Sequence, residues 1–357
     1  MPNQNYFAYV NGVFINKKFA DKYASTLPSG GALTSYSDLE PFLDQIKAHE
    51  PGVTPVFMSN GGIAGGVIFG GLDWGFDAFA GAGFVAATRY NDPHLQVVNM
   101  YATPEYQQAV ALRWKWGQLG YFKKDPVAPD QGAVAVQNGQ YAVLIGQQAK
   151  PNDIPGIESH FGIPLTVKTV GPTCISTQGI LQNMNSIPRS CPHPQQALQF
   201  LNLVNSDATI FNLLCHGIEA KHYVFVNKTQ KLIGYPTGIT ATSDKYNPGT
   251  DWMFGNEQNG YYIDQASVGI YAQIQQANST AARSTAFGFS FDPTNVTTQI
   301  AQVSAITSGT GSLTNALSFG QLNPNDLPKY LAQIKQAGGD EIVAETQKQL
   351  NAWKQKH

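Results

Sequence analysis

Two pairs of acids in this 357-residue chain, Asp251 with Glu257 and Glu219 with Asp244, could be posed as general acid and partner across a glycosidic bond. That chemistry requires carboxyl groups about 5–9.5 Å apart, a distance that sequence spacing does not supply. A chain with 24 acids contains such pairs in any case. Cys215 and His216 are adjacent, whereas a catalytic Cys and His usually meet in space rather than in sequence, so a buried thiol accounts better for Cys215. His216 and His222 miss the i, i+4 spacing of a helical metal pair, and no calcium loop of the EF-hand type occurs. The stretch from Asn60 to Gly83 is glycine-rich but has no Walker lysine and no dinucleotide spacing, so it reads as the wall of a cleft. Neither a catalytic constellation nor a metal or cofactor site is predicted, and the chain is not read as an enzyme.

What remains is a chemistry of rings and amides. Hydrophobic residues make up 42% of the chain and aromatics 11%, while charged residues reach only 13%, roughly half the usual share. Asn, Gln, Ser, Thr and Gly take their place, as in secreted proteins that meet neutral polar ligands. A net charge of −2 leaves no electrostatic footprint for nucleic acid or anionic lipid. Cys174, Cys191 and Cys215 have neither zinc spacing nor an even count, which leaves one bridge with a free thiol, or none. No run reaches the ~18 apolar residues of a membrane span, and no basic, apolar, small-residue leader stands at the N-terminus. Sequons occur at Asn227, Asn278 and Asn295.

The elements that would position these residues alternate between strand and helix, and the length suggests two lobes. Asn5 to Ile15 reads as a strand, with Asn16 capping a helix from Lys17 to Tyr23. Ser37 and Glu40 form a capping box for a helix to about His49, followed by a buried strand from Thr54 to Ser59. Thr103-Pro104 opens a helix whose apolar face is Ala109, Leu112, Trp116 and Leu119. A helix from Asp130 to Gly139 leads to a strand at Tyr141–Ile145. Two further strands are expected at Ile163–Val167 and Thr173–Thr177. Helices follow from Pro194 to Asn205 and from an Asp207 cap to Gly217, and the last eighty residues are largely helical.

Several ordered blocks carry a resemblance to a known family. They are SCPHPQQALQFLNLVNSDATIFNLLCHGIEAKHY from Ser190 to Tyr223, YNPGTDWMFGN from Tyr246 to Asn256, and AFGFSFDP from Ala286 to Pro293. DEIVAETQKQLNAWKQ at the end and NGVFINKKFADKY near the start agree as well. These resemble the lipoprotein-type extracellular solute-binding proteins of bacterial ABC importers. The likeness is to the carbohydrate and oligosaccharide binders, and is looser to the alginate-binding and maltose-binding proteins. It implies a periplasmic-binding-protein-like two-lobe α/β fold of type II, with hinge segments that let the lobes close over a ligand. The C-terminal lobe would be complete, from residues 8–167 and 236–357. Residues 1–7 would enter the hinge, and residues 168–235 would build only part of the N-terminal lobe. The partners implied are a carbohydrate ligand and the membrane permease subunits, with no nucleic acid and no cofactor. The place implied is extracellular, at the cell surface or in the periplasm. One departure is Ala220, which stands where the family usually has a glycine.

A sugar presents hydroxyls at its edges and weakly apolar C–H faces, so its site combines flat rings with amides and carboxylates. Trp252 is the candidate platform, against a core role holding the FGN turn. Trp74 lies among glycines and is less easily explained as core. Tyr6 and Phe7 precede the first crossing, where packing on a neighbouring strand is the alternative. Asn11, Asn60 and Asn256 suit hydroxyl recognition, although turns use Asn for similar reasons. Glu219, His222 and Tyr223 lie near a crossing, where Glu219, Lys221 and His222 could instead be an internal ion-paired cluster. The arginines, Arg89, Arg113, Arg189 and Arg283, form no carboxylate-binding cluster, which with the low charge favours a neutral saccharide.

Overall fold

In the computed structural model, the described residues are all but 1–3, 5–6, 58–74, 84, 124–133, 151–153, 182, 241–242, 247–250, 254, 308–319 (Ala316 excepted) and 357. They divide into two compact units: residues 8–178 with 281–357, and residues 1–7 with 179–280.

The larger unit begins with β1 (Tyr9–Asn16), followed by α1 (Lys17–Lys22), β2 (Ala32–Leu33), α2 (Glu40–His49) and β3 (Thr54–Phe57). A meander of β4 (Phe76–Ala78), β5 (Ala86–Arg89) and β6 (Val98–Asn99) precedes α3 (Pro104–Gln118). Then come β7 (Tyr141–Gln148), α4 (Ile154–Phe161) and β8 (Leu165–Ile175). The main sheet runs β11-β8-β1-β7-β3, with β2 also on β8, where β11 is the short strand Ala282–Arg283 late in the chain. Strand β1 is antiparallel to both of its neighbours. Its side chains alternate between two cores: Val13 and Ile15 pack with Phe42, Ile46 and Trp116, and Phe14 packs on the other face with Phe57, Leu144 and Phe161. A strand covered on both faces reads as a continuous apolar run, and VFI in β1 is such a run.

After α5 (Thr177–Leu181), the smaller unit contains α6 (Pro194–Ser206), α7 (Ala208–His216), the hairpin β9 (Val224–Asn227) and β10 (Leu232–Gly234), and α8 (Ile270–Thr280). One buried cluster is Val204, Phe211 and Cys215, with Ile210 and Leu214 against it, and Tyr223, Leu232, Ile233, Ile270 and Ile274 are buried as well. After β11, the chain ends in the larger unit with α9 (Thr297–Thr307), α10 (Leu327–Gln336) and α11 (Gly339–Lys354). These helices cover the meander through a third core of Phe76, Tyr101, Val303, Ile334 and Leu350.

Several boundaries differ from those read in the sequence. Residues 236–280, expected in the larger lobe, belong to the smaller unit. The buried Asn212 amide donates to the Asn259 carbonyl and its oxygen accepts from the Tyr261 amide. Ile233 and Tyr262 share a backbone bond, so the 255–262 segment is tied to α7 and β10. Residues 1–7 are more than a hinge entry: Gln4 exchanges backbone bonds with Gly255 and Glu257, and the Phe7 amide donates to Asn278.

The Asn16 cap is present, but the capping box is made by Ser35 and Asp38 ahead of a 3-10 turn, two residues before Ser37 and Glu40. The strands expected at 163–167 and 173–177 are one strand, because β1 pairs along all of it from Leu165 to Cys174. Between the Val170 and Cys174 pairs, three residues of β8 stand opposite one of β1, Val10, so Gly171 and Pro172 sit in a bulge, where a strand tolerates proline. In α3 the buried positions are Tyr106, Val110, Arg113 and Trp116. Leu119, expected on that face, is exposed at the helix end. The expected helix start at Asp130 lies outside the described residues. All three cysteines are free.

One polar group is buried at the base of the β11 segment. Asp77, in the middle of β4, is 3% exposed, and its carboxylate accepts from the Ser284 hydroxyl. Burial outweighs that bond and pushes the carboxyl up from 3.8 to about 6. Between those values the folded chain holds a proton that the unfolded chain has released, so stability falls as pH rises through this window. Asp77→Asn should abolish that slope and add about 3 kcal/mol at pH 7.5. Urea melts at pH 4 and 7.5 read the effect. Equal destabilisation at both pH values would show that the carboxyl is needed for its bonds instead.

Candidate functional site

The smaller unit contains a cleft lined by Cys215, His216, His222, Tyr223, Tyr235, Asp244, Tyr246 and Ile263, with Ile233 and Gly234. It is built at the C-terminal end of α7. Gly217 ends that helix at φ 78°, and a Cβ there would lie 2.3 Å from His222 Nδ1 and 2.8 Å from the Tyr246 ring. Only glycine therefore lets the two rings close over the helix end. The His222 and Tyr246 rings stack at 5.1 Å and 27°. The Tyr246 hydroxyl donates to the Leu214 carbonyl at 2.8 Å, satisfying one of the free carbonyls of the last turn.

The hydrogen-bonding state of the cleft follows from these contacts. The Ile218 amide donates to His222 Nδ1 at 2.9 Å, so a neutral His222 carries its proton on Nε2, as a donor. Asp244 Oδ1 accepts from the Tyr246 amide at 3.0 Å, which fixes the carboxylate at the cleft wall. His216 stacks on Tyr261 at 5.8 Å and 18°. Burial lowers its pKa, opposed by the weaker pull of Asp251, so it is neutral at pH 7. Burial pushes the Cys215 thiol up to about 12, with Asp251 adding to the rise. A thiol so protonated is no nucleophile. The Tyr223 hydroxyl also rises to about 12, chiefly through burial. The lining is thus largely uncharged at neutral pH and offers ring faces, hydrogen-bond donors and one carboxylate. The cleft volume is about 40 Å³, room for roughly three waters or for the edge of a ligand rather than a whole sugar ring.

The structure distributes the residues expected from sequence unevenly. His222 and Tyr223 meet in the cleft. Trp252 lies in the 3-10 turn Asp251–Met253 at 47% exposure, which removes the core alternative for it, and it is in the smaller unit. Asn256 uses its side-chain oxygen to cap the turn at Gln258, a structural task. Asn11 is 3% exposed within β1 of the larger unit. Phe7 is half-buried and held through its backbone. Glu219 is exposed, and among the described residues no ion pair joins it to Lys221 or His222; a backbone bridge to Tyr223 and the His222 ring set that turn instead. Tyr6, Asn60 and Trp74 lie outside the described residues. Sequence reasoning missed Tyr235, Asp244 and Tyr246 as cleft residues. The Pro248-Gly249 pair shortly after Tyr246 was the available signal. Among the described residues no three metal-capable side chains come together, and no helix is long and apolar enough to cross a membrane.

Two α/β units with chain crossings between them make the two-lobe fold of the extracellular solute-binding proteins, and the solved structures agree. NgtS, the N-glycan transport solute-binding protein of Streptococcus pneumoniae, matches 98% of this chain and 74% of its own at a TM-score of 0.79 and 21% identity. Its complex with Man5GlcNAc matches 99% of this chain and 74% of that one at 0.74 and 20%. The alginate-binding protein AlgQ2 matches 98% of this chain and 74% of its own at 0.59 and 11%. In sequence, a carbohydrate ABC transporter substrate-binding protein of S. pneumoniae is 26% identical over 329 residues, 89% of this chain. The chain spans 62% of the length of that relative. Residues 285–355 match a family described as a domain of unknown function, DUF3502.

Ala220 follows the cleft turn and takes φ 64°, a left-handed conformation that costs an L side chain about 1 kcal/mol. Ala220→Gly should therefore stabilise the chain by only a few tenths of a kcal/mol, because the greater unfolded-state entropy of glycine, about 0.4–1 kcal/mol, offsets most of the strain relieved. Gly217→Ala should destabilise it by at least roughly 2 kcal/mol, because the added methyl drives His222 from the helix end. Thermal melts of both variants test this. A neutral Gly217→Ala would show that the ring stack is not the lock it is taken for.

Proposed function

We propose that this chain forms the greater part of the solute-binding component of a carbohydrate ABC importer. It works outside the cytoplasmic membrane and delivers an oligosaccharide to the membrane permease subunits. The carrying observation is the ring-lined cleft of the smaller unit, with little charge in its lining, in a chain whose fold matches a protein solved with Man1GlcNAc and Man5GlcNAc. The chemistry is apt for a neutral saccharide. Half-exposed Trp252 supplies a flat apolar face, His222 Nε2 a donor, and the Asp244 carboxylate an acceptor for hydroxyls. The small volume suits one terminal unit gripped at its edge, with the rest of the chain lying on the exposed rim at Tyr235 and Ile263. Binding drives a conformational change only so far as the ligand prefers one state over the other, so the affinity itself is the first quantity to measure.

Titration calorimetry against a panel of neutral oligosaccharides, including mannosyl-GlcNAc chains, should find a saturable ligand. Product analysis of the same mixtures should find the sugar intact. Trp252→Ala should weaken that binding about tenfold, roughly 1.4 kcal/mol. Steady turnover of any sugar would replace the receptor reading with an enzymatic one.

A further inference from the structure

The cleft of the smaller unit is too small for a whole sugar ring, but the larger unit contains a cavity with the room. Its volume is about 300 Å³, against about 40 Å³ for the cleft, which puts it at the low end of the range for small-molecule sites. Trp114 and Gln118 line it from the last turns of α3, Phe122 and Lys123 from the segment after that helix, and Gln321 from the segment ahead of α10. These walls are fixed by close packing. A Cβ on Gly117 would strike the Gly320 carbonyl oxygen, and one on Gly320, at φ 62°, would strike the Arg113 carbonyl oxygen and the Phe122 ring. Only glycine at both positions lets the two backbones meet, which sets Gln321 against the end of α3. The Ala316 carbonyl accepts from the amides of Gln321 and Leu322, and the Tyr121 carbonyl accepts from the Val56 amide of β3.

Trp114 is the ring that packing leaves unexplained. Its neighbour Trp116 is 1% exposed, donates its indole N–H to Glu40, and packs against Tyr121 and Phe122. Trp114 is only half-buried, and among the described residues no hydrogen bond and no ring contact engages it. Such a ring keeps an apolar face and one N–H donor for a ligand. Gln118 and Gln321 are both exposed and add amides that donate and accept. Lys123 brings the charge in the described lining, with its ammonium 5.2 Å over the Tyr141 ring. A purely apolar ligand would leave these polar groups without partners, and one lysine is no cradle for a polyphosphate. A pyranose, with an apolar C–H face and hydroxyls that donate and accept at its edge, complements all of them. We propose, on the reading of this chain as a carbohydrate receptor, that the cavity is a saccharide subsite of the larger unit. It holds one whole pyranose ring against Trp114, with the hydroxyls on Gln118, Gln321 and Lys123.

Titration of the full chain with mannosyl-GlcNAc chains supplies the test, read by calorimetry and by the indole N–H signals in ¹H–¹⁵N NMR. The five tryptophans are assigned by single Trp→Phe variants. The Trp114 signal should shift and saturate at the calorimetric Kd, while that of Trp353, packed on Phe289, stays still. Trp114→Ala should weaken binding about tenfold, and Gln118→Ala about fivefold, the loss of one hydrogen bond. Gln118 is exposed, so its variant reads binding even if Trp114→Ala disturbs α3. A sugar that binds and moves the Trp252 signal while Trp114 stays still overturns the subsite and leaves the receptor reading standing. So does parental affinity in both Gln118→Ala and Gln321→Ala. A shift at Trp114 with Trp252 silent supports the subsite and takes the platform role from Trp252. Absence of any saturable saccharide removes the receptor reading, and the subsite with it.

Discussion

The structure depends on one strand covered on both faces and paired on both edges. β1 exchanges ladders with β7 and β8, and Val13, Phe14 and Ile15 are all completely buried, each in one of two cores. Each such side chain contributes about 1.5–3 kcal/mol by leaving water, and the ladder fixes which face each one meets, since a slip of one residue would exchange the faces. The segments bounding the larger unit are set from the same ladder. Tyr9 and Ala282 both pair with Cys174, near the end of β8. The places where the chain leaves and re-enters this unit are therefore fixed by backbone bonds to a single short stretch of strand.

The smaller unit is organised by different means. Beside buried apolar side chains such as Val204, Phe211, Ile233 and Ile274, polar and conformational devices order it. The Asn212 side chain bridges α7 to the 259–261 segment. Gly217 admits the His222 and Tyr246 rings onto the helix end. Gly255 and Gly260 lie where any side chain would strike Val204, Phe211 or Tyr271. A cleft built this way has walls of rings and backbone.

The reading of local structure from sequence succeeded where the signal was local. The caps at Asn16, Thr103 and Asp207 and the helix end at Gly217 are all present. A cap is one side chain meeting an amide two or three residues away, and nothing distant is needed to see it. Ala220 stood out through the family resemblance, which puts a glycine there, and its φ of 64° is a left-handed conformation that glycine adopts readily.

The cleft was legible only in part. His222 and Tyr223 are adjacent in sequence to the Gly217 turn, and their resemblance to a family motif exposed them. Tyr235, Asp244 and Tyr246 come from segments further along the chain and join them only through the fold. Asn256 and Trp252 show the limit most plainly. Both have the right chemistry, but whether an amide caps its own turn or a ring faces water is decided by what packs against it. The sequence alone determined the alternation of strand and helix, the caps, the low charge and the class of fold, because these follow from local propensity and composition. Tertiary structure alone decided that residues 236–280 join the smaller unit, that Asp77 is buried far enough to push its carboxyl up to about 6, and which rings share a cleft. Those outcomes depend on contacts between residues far apart in the chain, which no local pattern encodes.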